Sequence, residues 1–290
     1  MGIVLSALAL WLLAMHPEIT NANDQDIELN AVLMESTFKI QGESGGDLGT
    51  AFILGRPFQE GSPRARFVLV TAAHVLNKIR DEMAILMMRE TTGPDQWQRL
   101  PWKIRIRESG EQRRPLWTRH PQVDVAVMYV RLPDNASLRT GKNFLPMRLL
   151  ADDKVLSELN IHPGDELSCL GFPFGAESPA GFPILRSGKI ASYPLLPSKV
   201  TRTFLFDFRI FPGNSGGPVY LVQSGRGITR GTSIEFRNVK LIVGLVTEQV
   251  RLEEQTIGGM VYHPLGLAHV VHASLIREAI ELLPSPETVP

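Results

Sequence analysis

Residues Pro212-Gly-Asn-Ser-Gly-Gly-Pro-Val-Tyr220 place one serine between glycines at the mouth of a β-run. Glycine lacks a Cβ, so the chain can bend there and leave the Ser215 hydroxyl exposed. The same freedom lets the N–H of Gly213 turn toward a reacting carbonyl. The N–H of Ser215 can point to the same spot, and two converging donors make an oxyanion hole. Alone, the segment also fits an ordinary glycine-rich turn. A serine nucleophile needs a base, and the base needs an anionic partner to fix its tautomer. His74 ends the apolar run Phe67-Val-Leu-Val-Thr-Ala-Ala-His, and Asp124 opens the run Asp-Val-Ala-Val-Met-Tyr-Val130. Singly, the histidine would read as a core residue and the aspartate as a strand cap. A carboxylate entering a buried strand needs a partner, however. His74, Asp124 and Ser215 together supply base, orienting carboxylate and nucleophile.

The order His, Asp, Ser resembles the chymotrypsin-like arrangement rather than the subtilisin or α/β-hydrolase orders. The chain is similar to the trypsin-like serine proteases over roughly residues 35–283, with Gly49-Thr-Ala-Phe-Ile-Leu-Gly55 as a fourth anchor. Gly171-Phe-Pro-Phe-Gly175 and Arg186-Ser-Gly-Lys-Ile-Ala-Ser192 resemble segments of bacterial HtrA/Deg-like protease domains. The resemblance implies an all-β fold of two antiparallel Greek-key β-barrels with a C-terminal helix. Residues 31–150 would form the first barrel and a crossover linker. Residues 151–284 would form the second barrel and the helix, the two making one peptidase domain. The implied activity is peptide-bond hydrolysis of peptide or protein substrates, with Gly213 and Ser215 as oxyanion donors and no cofactor or metal. A PDZ domain, carried by many HtrA-like proteins, is not expected.

Two positions depart from digestive-type relatives. Those carry aspartate where Asn214 stands, and it ion-pairs with an amino terminus freed by zymogen cleavage. A neutral amide cannot do so, and activation without a proteolytic cut is the expectation. The pocket stretch holds Arg209 and Ile210 ahead of the serine and Val246 on a later strand. Strand alternation lets only one of Arg209 and Ile210 point inward. An inward Arg209 would favour an acidic substrate side chain, and an inward Ile210 a small apolar one. The apolar pocket is preferred, because Ile210 matches an apolar pocket position of HtrA-like relatives. Two rival functions remain at this level. One is a catalytically silent scaffold binding peptides or partners in the same cleft. The other is an esterase, whose triad order would normally differ.

The elements that must position these residues read as short β-runs broken by Gly, Pro and Asp. They fall near residues 67–71, 125–132, 166–170, 204–208, 218–222 and 240–246. Such spacing favours barrels or a sandwich over alternating strands and helices. Residues 89–121 read as polar hairpins and a surface loop, with His120 solvent-exposed. Asp153 to Leu159 suggests a short helix. Val271, Leu275, Ala279 and Leu283 fall at helical spacing before Pro284, predicting a closing helix that also carries His269 and His272. Those two histidines lack an evident third ligand for a metal, and a surface role is preferred.

Charge is balanced, with 30 basic and 30 acidic residues, so nothing points to nucleic acid or an anionic membrane. The single cysteine, Cys169, excludes an intrachain disulfide and reads as a buried strand thiol. Residues 3–15 form an uncharged apolar run, too short for a confident membrane span and about the length of a signal-peptide core. Small residues Thr20-Asn-Ala22 offer a cleavage position. Residues 1–22 are therefore expected to be a signal peptide, with no integral span after cleavage and a secreted or periplasmic product. An uncleaved anchor and a buried N-terminal helix stay open, because the segment lacks Lys and Arg ahead of the apolar run.

Overall fold

The computed structural model describes residues 28–46, 48–59, 62, 64–136, 145–256 and 258–288. The expected signal peptide lies outside the described residues. Among those described, strands dominate and fall into two sheets.

The first sheet is built from β1 (Thr37–Gly42), β2 (Leu48–Pro57), β3 (Ala65–Thr71), β4 (Met83–Gly93), β5 (Gln96–Arg105), β6 (Thr118–Arg119), β7 (Ala126–Tyr129) and β8 (Leu145–Pro146). Its order is β5-β4-β1-β2-β3-β7-β6, antiparallel throughout except that β8 lies parallel to β2. The middle of β2, from Gly49 to Gly55, is buried on both faces, as a small and apolar composition allows. β4 instead alternates, with Ala84, Leu86 and Met88 turned inward.

The second sheet closes into a six-stranded barrel in the order β10-β11-β14-β13-β12-β9. Its strands are β9 (Glu166–Gly171), β10 (Ile184–Ile190), β11 (Thr203–Asp207), β12 (Pro218–Arg230), β13 (Ser233–Thr256) and β14 (Gly259–His272). The hydrogen-bonded ring is thus complete in the second unit. In the first, β5 and β6 stand at opposite ends of the strand order.

Four helices accompany the sheets among the described residues: α1 (Leu29–Ser36), α2 (Ala73–Lys78), α3 (Asp153–Glu158) and α4 (Ala273–Glu281). Asp152 caps α3, its carboxylate accepting from the Val155 N–H at 2.8 Å. α4 buries Leu275, Ile276, Ala279 and Ile280 in the same apolar cluster as Phe52, Val70 and Val127 of the first sheet. That cluster also takes in Leu170, Tyr220, Leu245 and Val271 of the second barrel, so one core runs under both sheets.

Several expectations are corrected. β12 and β13 run far beyond residues 218–222 and 240–246, as a polar ribbon with Ile234 and Phe236 exposed. The Gln-, Arg- and Glu-rich composition hides these strands from a hydrophobic pattern, because ladder hydrogen bonds rather than burial define them. α4 begins only at Ala273, so Val271, His269 and His272 belong to β14. His272 is buried, its ring 5.0 Å from that of Phe204. His120 is buried rather than solvent-exposed, its Nδ1 accepting from the N–H groups of Gln122 and Val123. Arg89, read as part of a polar surface segment, is fully buried in β4. No helix among the described residues is long and apolar enough to cross a membrane.

Candidate active site

β3 ends at Thr71, and the chain turns through Ala72 into α2, which sets His74 one residue past the helix start. The small residues Ala72 and Ala73 are fully buried, which lets the turn pass close beneath its neighbours. Asp124 precedes β7, the strand paired with β3, so strand pairing fixes the two side chains against each other. His74 Nδ1 lies 2.5 Å from Asp124 Oδ2, and the backbone N–H of His74 donates to Asp124 Oδ1 at 2.9 Å. The carboxylate therefore holds both the ring and the main chain of the histidine. Burial works to raise the Asp124 carboxyl, but the hydrogen bonds and charge of His74 outweigh it and hold it below the usual carboxylate range. With Nδ1 committed to Asp124, Nε2 is the ring atom left to take a proton.

Ser215 sits on a tight loop between Phe211 and Pro218. Asn214 N–H donates to Phe211 O at 3.0 Å, and Gly217 N–H donates to Asn214 O at 2.9 Å. Gly213 and Gly216 have φ of +97° and +89°, conformations that L side chains rarely adopt. A Cβ on Gly216 would lie 2.1 Å from Thr50 O and 2.3 Å from Thr71 Oγ1. The serine loop is thus pressed onto the end of β3, three residues before His74. Thr50 of β2 ties it further: its N–H donates to Ser215 O at 2.8 Å and its hydroxyl to Gly213 O at 2.6 Å. On the other side Gly216 N–H donates to Val246 O at 2.7 Å, and Val246 N–H donates to Gly217 O at 2.9 Å.

Of the expected residues, His74 and Asp124 are in direct contact, and the loop carrying Ser215 packs against the end of the strand that leads to His74. The Ser215 hydroxyl donates to Thr247 O at 2.7 Å. Among the described residues it makes no hydrogen bond to His74. The N–H groups of Gly213 and Ser215 have no protein acceptor among the described residues, while Pro212 O, on the same peptide as the Gly213 N–H, is taken by Phe174 N–H at 2.7 Å. Asn214 is buried, and among the described residues its Oδ1 lacks a hydrogen-bond donor.

Of the residues expected to line a substrate pocket, Ile210 and Val246 are buried and Arg209 is exposed. The Arg209 guanidinium lies 5.4 Å from the Phe211 ring, and its carbonyl accepts from Arg186. Sequence reasoning missed Thr50 and the Thr247 carbonyl, which act through main-chain geometry and carry no compositional signal. It also missed Phe174, whose φ of +52° belongs to a turn that only tertiary contact stabilises. Cys169 is buried beneath the site in β9, and burial pushes its thiol up to about 12 against the opposing charge of Arg186. It is a packing residue and not a competing nucleophile.

Comparison with known proteins gives three findings. A family model described as "Trypsin-like peptidase domain" matches residues 49–228. No curated protein matches. Among solved structures, a thermostable serine protease AL20 from an extremophilic microorganism aligns at 12% identity over 85% of this chain and 95% of that one, TM-score 0.46. Protease Anisep from Arthrobacter nicotinovorans aligns at 12% identity over 85% and 94%, TM-score 0.46. Deg5 aligns at 16% identity over 90% and 94%, TM-score 0.44.

Proposed function

This chain belongs to the trypsin-like peptidase domain family, and from that premise we propose that it is a serine endopeptidase. The observation that carries the reading is the double hold of Asp124 on His74 beside a serine loop pinned to the same strands. In the first step the Ser215 hydroxyl turns from Thr247 O to the His74 ring. His74 Nε2 takes its proton as Oγ bonds to the substrate carbonyl carbon, and Asp124 stabilises the imidazolium. The carbonyl oxygen gains negative charge and is held by the N–H groups of Gly213 and Ser215. His74 then returns the proton to the leaving amine, and water repeats the cycle on the acyl-enzyme. Buried Ile210 and Val246, with Arg209 turned out, favour a small apolar side chain beside the cleaved bond. The apolar run at residues 3–15 fits export to a secreted or periplasmic site.

The rival of a silent cleft-binding scaffold draws support from one observation, the Ser215 hydroxyl bonded to Thr247 O instead of His74. A fluorophosphonate probe separates the two. Wild-type protein is expected to become covalently labelled and Ser215→Ala is not. Ser215→Ala and His74→Ala should each lower peptide cleavage by at least about a thousandfold, to the level left by binding and oxyanion contacts. Unlabelled wild-type protein, or full cleavage by Ser215→Ala, would sink the peptidase reading.

A further inference from the structure

The loop between β9 and β10 does two things at once. Its near end touches the serine loop: Phe174 N–H donates to Pro212 O at 2.7 Å, and the Phe174 ring lies 5.2 Å from that of Phe211. Gly213 packs so closely there that a Cβ would lie 2.1 Å from Phe172 O. A trans peptide points its C=O and N–H to opposite sides. Fixing Pro212 O against Phe174 therefore fixes the direction of the Gly213 N–H.

The far end of the loop is gripped by the first sheet. Glu177 takes Lys39 Nζ of β1 at 2.8 Å and Arg99 Nε of β5 at 2.5 Å. Buried Arg89 of β4 donates Nη1 to Gly181 O at 2.8 Å. Its Nη2 lies 2.9 Å from the carbonyls of Met34, Glu35 and Thr37, at the junction of α1 and β1. The guanidinium also stands 4.3 Å from the Phe182 ring and 4.8 Å from the Phe38 ring. A buried cation is costly unless satisfied, so a guanidinium spent on carbonyls of two separate segments holds both in place.

We propose, on the basis of the serine-peptidase reading, that Arg89 and Glu177 are positioning residues which clamp the β9–β10 loop to the first sheet and thereby keep the Gly213 N–H aimed at the oxyanion. The clamp does the work that Asn214, being uncharged, cannot do through an ion pair.

Glu177→Gln tests this, because the amide keeps the size and shape of the carboxylate and can still accept from Lys39 and the half-exposed Arg99, so the variant should fold. Its fluorophosphonate labelling rate and kcat should fall about tenfold, with KM and thermal midpoint near wild type. Glu177→Asp should recover part of the loss. Arg89→Lys, which keeps the charge but loses the fork, should show a larger fall. Wild-type rates in Glu177→Gln would overturn the clamp while leaving the peptidase reading intact. So would a fall in kcat matched by an equal loss of folded protein. A wild-type protein that takes up no probe would instead remove the reading on which the clamp rests. Should Arg89→Lys not fold, Glu177→Gln decides alone.

Discussion

A buried histidine outside the candidate site carries a consequence for pH. Burial depresses the His272 imidazole to about 4, against the opposing pull of Asp153 and a Leu195 backbone contact. Among the described residues neither ring nitrogen has a partner at hydrogen-bond geometry, the Leu195 backbone contact being a weak one. The unfolded chain, titrating near 6.5, then binds a proton that the folded chain refuses. The stability contributed by the neutral ring is complete above about pH 6.5 and is lost as pH falls toward about 4. The shift corresponds to a loss on the order of 3 kcal/mol. Urea unfolding of wild type and His272→Gln at pH 7 and 4.5 checks this. The variant should lose markedly less stability on acidification, and equal losses would refute the assignment. Residue chemistry was the most legible level of the sequence. His74, Asp124 and Ser215 stand out as candidates in the sequence because nucleophile, base and carboxylate have few substitutes, and the structure joins His74 to Asp124. His272 and His120 were misplaced, because a histidine's burial depends on neighbours distant in the chain.

At the level of elements, the serine loop depends on two strands that approach its backbone too closely for any side chain. Gly216→Ala would force a Cβ into Thr50 O and Thr71 Oγ1 at a φ of +89°. The expected cost is about 1–3 kcal/mol of stability for the strained φ alone. The expected fall in kcat/KM is at least about a hundredfold, since the loop must shift away from β2. Thermal melts and peptide kinetics measure the two effects, and unchanged kinetics would show the loop to be more pliable than its packing implies. Strands inside the core, such as β3 and β7, were legible from apolar runs. The long β12–β13 and β13–β14 ribbons were not. Arg226, for example, stands in sequence among Ser, Gly and Thr with no apolar run to mark a strand. In the fold it is buried, paired with Asp165 at 2.8 Å and donating to Leu159 O and Asn160 O, and it roots the first ribbon beside α3.

Across the whole molecule, α1 is not legible in the sequence, which suggests short β-runs from about residue 31 and leaves a helix open only within residues 1–22. Its length of 8 residues is too short to stand alone, and it exists because Leu29 and Leu33 are buried against the first sheet. It also supplies carbonyls to Arg89, so a mature chain must keep it. Protein isolated from its native host should begin near Asn23, upstream of Leu29. N-terminal sequencing checks both halves of that statement. A retained Met1 would refute export with cleavage, and a start beyond residue 36 in active protein would refute the need for α1. The two-sheet architecture was legible from strand spacing and family resemblance, whereas the packing of α4 under the first sheet was not. Arg56 Nη1 reaches the carbonyls of Ile280, Leu283 and Pro284, and the Tyr129 hydroxyl donates to Pro284 O. The first sheet to leave the ribosome therefore lacks a wall of its own core until α4 has been translated. β3 and β7, the strands that lead to His74 and follow Asp124, keep apolar surface uncovered until α4 docks, so the first half of the site is finished by a helix that follows the second barrel.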